Sequence, residues 1–241
     1  METWFEPGHV AIVTGGSRGL GKAVARELLQ RGLTVIIDGR DPASLERTRA
    51  ELAPIGTVVA IAGDVADKEH AHALVAAAQH TGRLDLLVNN ASTLGEVPLP
   101  RIDRLSEQTF RDLFAVNVFA PIHLMQHALR VMRRTGSIGT IVNITSDAGA
   151  EAYPGWGGYG SSKAALEMIS RVFAAEMEGS PVRMLVADPG DMDTQMHRDA
   201  IPDADPATLR DPADSARALL QAIAEMKAPY ERVRLAELVT A

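Results

Sequence analysis

The chain contains no cysteine, so disulfide stapling, thiolate catalysis and thiolate metal sites are excluded, and a reducing compartment is compatible. Aromatic residues make up only 4% of it. No apolar run approaches the roughly 18 residues of a spanning helix, so no membrane partner is expected. Basic residues are in deficit: 24 Lys and Arg stand against 31 Asp and Glu, for a net charge of −7. That balance argues against a nucleic-acid partner, whose phosphates demand a cationic excess. The first residues, Met1 to Gly8, carry Glu2 and Glu6 and no basic stretch before an apolar core. They are expected to be neither a signal nor a transit peptide, which makes the cytoplasm the expected location. What is present is 241 residues, 46% of them hydrophobic, enough to build one sizeable core.

Short β-branched runs alternate with longer amphipathic stretches, the pattern of βαβ units around a parallel sheet. Strands are expected near Val10 to Thr14, Thr34 to Asp38, Thr57 to Ile61, Leu84 to Asn89, Thr140 to Ile144 and Val182 to Val186. A first helix is marked by Leu20, Val24 and Leu28 at spacing four, which forms one buried stripe. A second starts at Asp41 as N-cap with Pro42 in its first position. Others run from about Asp67 to His80, Glu107 to Arg134 and Gly157 to Glu178. The expected architecture is α/β: a doubly wound parallel sheet with helices on both faces, forming a single domain over residues 1–241. Chemistry in such folds sits outside the carboxyl ends of the strands. Residues 188–214, rich in Asp and Pro and without strong periodicity, are expected to form a loop or lid over the substrate.

Directly after the first strand comes a glycine-rich turn, Thr14-Gly15-Gly16-Ser17-Arg18-Gly19-Leu20-Gly21, which opens the first helix. Glycines let the backbone approach a pyrophosphate, and the free N–H groups at the helix start favour its negative charge. The spacing G-x-x-x-G-x-G differs from the more familiar G-x-G-x-x-G. At the end of the second strand, a NAD site places an acid against the ribose hydroxyls, whereas NADP requires cations for the 2′-phosphate. The stretch here reads Asp38-Gly39-Arg40. Gly39 falls where the discriminating acid is expected, with Arg40 after it and Arg18 in the turn, so NADP is favoured. If Asp38 instead takes the acid's place, the cofactor is NAD.

Tyr159 and Lys163 lie at i and i+4, on one face of the fifth helix and about 6 Å apart along its axis. A phenol is a poor acid at neutral pH, yet a cation at ~4 Å in an effective dielectric of ~20 contributes ~4 kcal/mol, roughly three pKa units. The plainer reading of the pair is an exposed helix contact. Ser146 follows the fifth strand, where its hydroxyl can donate to a substrate carbonyl as negative charge develops, or can simply cap a turn. Asn117 sits within the long helix four residues before Pro121; proline has no N–H for the Asn117 carbonyl, which leaves that carbonyl for water.

Together these residues resemble the short-chain dehydrogenase/reductase family in its single-domain form, built on the Rossmann fold. The match runs from Thr14 to about Thr194, with the motifs in the family's order: Thr14 to Gly21, Gly63-Asp64-Val65, Asn89-Asn90-Ala91, Asn117, Ser146, Tyr159 with Lys163, and Pro189-Gly190 followed by Thr194. The resemblance implies an NADP(H)-dependent oxidoreductase that passes hydride between the nicotinamide and a small-molecule carbonyl or alcohol. Tyr159 would be the general acid or base, Lys163 would lower its pKa and hold the nicotinamide ribose, Ser146 would orient the carbonyl, and Asn117 would anchor a relay water. On the cofactor side, Gly15, Ser17, Arg18, Gly19, Leu20, Gly21 and Arg40 would hold the phosphates. Asp64 and Val65 would contact adenine, Asn90 and Ala91 would support the ribose side of the cleft, and Pro189, Gly190 and Thr194 would close around the nicotinamide amide.

Two departures stand out. The usual Asn-Asn-Ala-Gly reads Asn-Asn-Ala-Ser, ending in Ser92, and the chain finishes Glu231-Arg232-Val233-Arg234-Leu235-Ala236-Glu237-Leu238-Val239-Thr240-Ala241 in place of the family's Tyr-x-Thr-Gly and terminal Asp-Gly-Gly. A homo-oligomer, dimer or tetramer, is expected. The alternative function is a non-catalytic NADP(H)-binding sensor or scaffold. An isomerase or dehydratase on sugar nucleotides would need a longer chain.

Weaker signals remain. His123 and His127 have a zinc-compatible spacing but no intervening Glu, and read as surface or interface histidines with no metal. Eight Asp against two Arg between Asp188 and Asp214 either favour a cationic substrate or are solvated. Tyr153 and Trp156 line the substrate pocket or pack a loop.

Overall fold

Seven parallel strands in the order β3-β2-β1-β4-β5-β6-β7 form one sheet in the computed structural model, which describes residues 5–136 and 138–238. The expected domain limits and chain ends at Met1 to Trp4 and Val239 to Ala241 lie outside the described residues. The strands are β1 (Val10–Val13), β2 (Thr34–Gly39), β3 (Val58–Ala62), β4 (Leu86–Asn89), β5 (Thr140–Ile144), β6 (Arg183–Asp188) and β7 (Tyr230–Arg234). Between β1 and β4 the strand order reverses, and ligands in such sheets bind at that switch point.

Alternate residues of each central strand feed two separate cores. Val13, Val35, Ile37 and Val88 join one core with helices α1 (Gly19–Gln30), α2 (Pro42–Leu52) and α8 (Pro212–Glu225). Ile12, Ile36, Leu87 and Ile141 join the other with α3 (Lys68–His80), α5 (Ala120–Thr135) and α6 (Gly157–Glu176). Each fully buried Leu or Ile in these layers contributes about 1.5–3 kcal/mol relative to exposure. The doubly wound single domain with helices on both faces is therefore as read from the sequence. Among the described residues, no helix is long and apolar enough to cross a membrane.

Local signals held where they were strongest. The α1 stripe of Leu20, Val24 and Leu28 is buried. Asp41 caps α2 by accepting from the N–H groups of Ala43 and Ser44, with Pro42 in the first turn, and Asp67 caps α3 through the Glu69 N–H.

Three elements differ. The long helix expected from Glu107 to Arg134 divides into α4 (Glu107–Phe114), a π turn (Ala115–Phe119) and α5. Pro121 has no N–H for the Asn117 carbonyl, and the ladder widens so that the Ala120 N–H reaches the Ala115 carbonyl. Residues 188–214 contain α7 (Gln195–Ala200) and the first turn of α8, whose N-cap is Asp211. Finally, β7 extends the sheet by pairing with β6 from Met184–Tyr230 to Asp188–Arg234. Its side chains are only half-buried, so its sequence Tyr-Glu-Arg-Val-Arg carries little apolar pattern.

One polar tie fixes α6 to the sheet. Glu167 accepts two bonds from the Arg232 guanidinium on β7, at 2.9 and 3.0 Å, and another from the Thr145 hydroxyl after β5 at 2.8 Å. The helix that carries Tyr159 and Lys163 is thereby held at the carboxyl end of β5.

Candidate active site

A cleft of about 740 Å³ opens at the carboxyl ends of the strands. Gly15, Ser17, Arg18, Gly19, Leu20, Arg40, Asp64, Val65, Asn90 and Ala91 line it, as do Ser146, Tyr159, Lys163, Pro189, Gly190 and Thr194. Two expected residues stand behind the wall. Gly21 supports the turn from beneath, where a Cβ would come within 2.4 Å of the Gly15 carbonyl oxygen. Asn117 is 1% exposed.

At the nucleotide end, Gly15 (φ +66°) and Gly19 (φ +55°) adopt backbone that only glycine enters freely. Arg18 is the N-cap residue of α1 but supplies no side-chain cap, so the first N–H groups of the helix face the cleft without a competing side chain. Thr14 and Asn90 fasten this turn to β4: the Asn90 and Ala91 N–H groups both donate to the Thr14 hydroxyl at 3.0 Å, and Asn90 Nδ2 donates to the Thr14 carbonyl at 2.8 Å. Asn90 thus acts on the turn rather than facing the cleft with a free amide. Across the opening, the Thr194 methyl lies 3.4 Å from where a Cβ on Gly19 would stand, so α7 abuts the phosphate turn. These close approaches make a cradle that fits an extended dinucleotide.

The carboxylate of Asp38 turns inward. It accepts the Gly15 N–H at 2.6 Å and meets His70 Nε2 at 3.1 Å, and Asp38 is 2% exposed. Both oxygens are occupied by the protein, which leaves the rim of the cleft to Arg40 and Arg18. Both are exposed, and among the described residues neither is paired with a carboxylate.

At the catalytic end, Tyr159 is buried, with the Trp156 ring edge-on at 5.6 Å and Tyr153 packed edge-on against Trp156 at 6.5 Å. Lys163 Nζ donates to the Ile144 carbonyl at 2.9 Å and lies 5.4 Å from the centre of the Tyr159 ring. The sequence suggested that this cation would bring the phenol's pKa down. In this cleft the opposite holds: burial pushes the phenol above its ordinary value, Asp188 and Asp147 add to that, and the Ser92 and Ser146 hydroxyls oppose it. The ammonium is itself pulled down to about 8 by burial. The cation lies over the ring and bonds to a carbonyl rather than to the phenol oxygen, so desolvation of both groups governs.

Ser146 takes the plainer of the two roles that its position allowed, capping the short turn at Asp147–Gly149 through the Ala148 N–H, and its hydroxyl donates to Asp147 Oδ1 at 2.8 Å. Asp147 was not singled out in the sequence. Burial raises its pKa, but bonds from Ser146, Tyr153 and the Ala148 N–H outweigh this and hold the carboxyl below its ordinary range. Asp188, at the end of β6, is raised by burial. Asn117 is held by its side chain: Oδ1 accepts from the Ser92 hydroxyl at 3.0 Å and the Thr93 N–H at 2.9 Å, while Nδ2 donates to the Thr93 carbonyl and the Ser162 hydroxyl, each at 3.0 Å. Outside the cleft, His127 packs edge-on against His72 at 5.7 Å.

Comparison with known proteins agrees with this geometry. The family model for short chain dehydrogenases matches residues 9–205. The chain is 33% identical over 181 residues to the uncharacterized oxidoreductase YvrD of Bacillus subtilis, covering 75% of this chain and 67% of that one. It is 35% identical over 204 residues to the rhamnolipid-biosynthesis 3-oxoacyl-(acyl-carrier-protein) reductase of Pseudomonas aeruginosa, covering 82% and 78%. A short chain dehydrogenase from Salmonella enterica serovar Typhi superimposes with a TM-score of 0.88 at 27% identity, covering 98% of each chain. The alcohol dehydrogenase from Thermococcus sibiricus, complexed with 5-hydroxy-NADP, gives a TM-score of 0.81 at 28% identity over 93% and 95%. With this fold, this cleft and these relatives, the chain belongs to the short chain dehydrogenase family of oxidoreductases.

Proposed function

We propose that this protein is an NADP(H)-dependent oxidoreductase acting on a small-molecule carbonyl or alcohol, with Tyr159 as general acid in reduction and general base in oxidation. The observation that carries the reading is the convergence of Tyr159, Ser146 and Lys163 at one end of a cleft whose other end is the uncapped start of α1. A nicotinamide dinucleotide supplies the hydride when bound. The Tyr159 hydroxyl hands its proton to the nascent alkoxide oxygen, and Ser146 holds that oxygen in place. Lys163 binds the nicotinamide ribose. The backbone between Ser17 and Leu20 carries the pyrophosphate, Asp64 and Val65 the adenine, and Pro189, Gly190 and Thr194 the amide end. Asn117 anchors a relay water beside the π turn.

NADP is favoured over NAD because Asp38 is already spent on Gly15 and His70, while Arg40 and Arg18 are open to a 2′-phosphate. The NADP derivative bound to the Thermococcus relative points the same way. Residues 188–214 serve as the substrate lid. Phe119, and Met168 with Val172 one turn apart on α6, are 54%, 53% and 47% exposed, and support a homo-oligomer, dimer or tetramer.

The test is NADPH oxidation across ketones, aldehydes, quinones and imines, with NADH alongside. NADPH should be preferred. Arg40→Ala should erode that preference by roughly 10–100-fold in kcat/KM, the range of one charge-assisted bond. A clear preference for NADH overturns the cofactor assignment. Tight NADPH binding with no turnover on any substrate would favour the sensor or scaffold reading.

A further inference from the structure

Asp38 stands in the wall of the cleft, directly before Gly39 and Arg40, yet its carboxylate turns inward. Oδ1 accepts the Gly15 N–H at 2.6 Å, Oδ2 meets His70 Nε2 at 3.1 Å, and the Asp38 carbonyl accepts the Gly16 N–H at 2.9 Å. A carboxylate offers only acceptors, so Nε2 carries the proton of that pair. His70 comes from the first turn of α3 and is itself buried. Gly63 makes room for it: a Cβ there would come within 2.2 Å of the ring's Nδ1. Gly63 directly precedes Asp64 and Val65, and its N–H donates to the Gly39 carbonyl at 3.1 Å. One imidazole therefore packs on the segment assigned above to adenine and bonds the carboxylate that holds the phosphate turn.

We propose that His70 is a positioning residue that sets the choice of dinucleotide, by keeping the Asp38 carboxylate turned into the protein so that the rim beside Arg40 accepts a 2′-phosphate. A carboxylate turned out to that rim would act in two ways. It would accept from the free ribose hydroxyls of NADH, and it would repel the 2′-phosphate of NADPH. Among the described residues, His70 is the one partner of Asp38 Oδ2. Removing the ring leaves a buried acceptor unsatisfied, and the nearest relief is rotation toward the cleft. Arg40 and Arg18 thus supply the attraction for the phosphate, whereas His70 withholds the competing charge. The inference rests on the reading of this chain as NADP-dependent.

The experiment measures NADPH and NADH affinity by cofactor fluorescence on the full chain, for wild type, His70→Phe, His70→Leu, His70→Gln and the double variant Asp38→Asn with His70→Phe. His70→Phe keeps a ring against Gly63 but has no donor. It and His70→Leu should lower the ratio of NADPH to NADH affinity by roughly 10–100-fold, the range of one charge-assisted bond. His70→Gln, whose amide can donate, should keep most of the wild-type ratio. So should the double variant, which has no carboxylate to release. An equal loss of affinity for both cofactors in the Phe and Leu variants, or a ratio unmoved in both, would make His70 merely structural and overturns the proposal. A ratio that falls as far in the double variant as in His70→Phe overturns the route through Asp38. Should the Phe and Leu variants fail to fold, nitrogen NMR of the wild-type His70 ring, assigned by its loss in His70→Gln, decides: a protonated Nε2 is expected, and an unprotonated one overturns the proposal. A wild type that binds NADH more tightly than NADPH overturns the NADP reading itself.

Discussion

Each end of the cleft buries a pair of ionisable side chains, to nearly the same depth. At the nucleotide end Asp38 is 2% and His70 8% exposed; at the catalytic end Lys163 is 2% and Tyr159 8% exposed. Their partners differ. Asp38 takes a backbone N–H on one oxygen and an imidazole on the other, which ties the glycine turn to β2 and α3. Among the described residues Lys163 has a single carbonyl, and no carboxylate compensates its burial. Tyr159 sits near two carboxylates that make its ionisation harder. Burial with full pairing builds structure, whereas burial without it displaces the groups from their ordinary pKa, downward for Lys163 and upward for Tyr159.

This contrast is open to direct attack. Its sharpest consequence is that Tyr159→Phe should lower kcat by about 10²–10⁴-fold, the usual worth of a positioned acid or base. Melting temperature and NADPH binding should be unchanged, read by calorimetry and cofactor fluorescence; near-normal turnover would end the catalytic assignment. Next in size, Asp38→Ala should cost about 2–4 kcal/mol in urea unfolding, because the buried Gly15 N–H and the His70 ring lose their acceptor together. Dinucleotide affinity should fall with it. A loss below about 1 kcal/mol would mean that the pair is not structural.

The smallest shift to be read is in the stability of Lys163→Met. Turnover should collapse, yet stability at neutral pH should hold or rise, since an uncompensated buried cation is gone. Between about 8, where Lys163 titrates in the fold, and its ordinary 10.5, the unfolded chain carries a proton that the folded chain has released. Wild type should therefore gain stability relative to Lys163→Met as pH climbs through that window, with no such gain below it. Urea midpoints at pH 7, 8, 9 and 10 for both proteins would show a constant difference if the contrast is mistaken.

Much of the fold was legible in the sequence. The β1–α1 turn, the caps Asp41 and Asp67, and six of the seven strands are local signals, written in glycine placement, capping chemistry and apolar period. The seventh strand was not, because an edge strand with charged residues at Glu231, Arg232 and Arg234 has no period to read. Helix α8 begins inside a stretch whose Asp and Pro content suggested a lid, although its Asp211 cap and first-turn Pro212 are the same device read correctly at Asp41 and Pro42. The site divides likewise. Residue types and spacing pointed to Tyr159, Lys163 and Ser146. They did not disclose that burial would lift the phenol or that the Ser92 hydroxyl would donate to Asn117, since each depends on side chains brought together from separate elements.

The alternation of the first six strands with helices, the two-sided burial of the strands and the glycine turn were determined by the sequence alone, because neighbouring residues and their periodicity suffice to specify them. Which way Asp38 points, whether Lys163 meets a phenol oxygen or a carbonyl, and what the Asn117 side chain holds were decided only by the tertiary structure. Those outcomes depend on competition between partners distant in sequence, and on how much water the packed layers exclude from them.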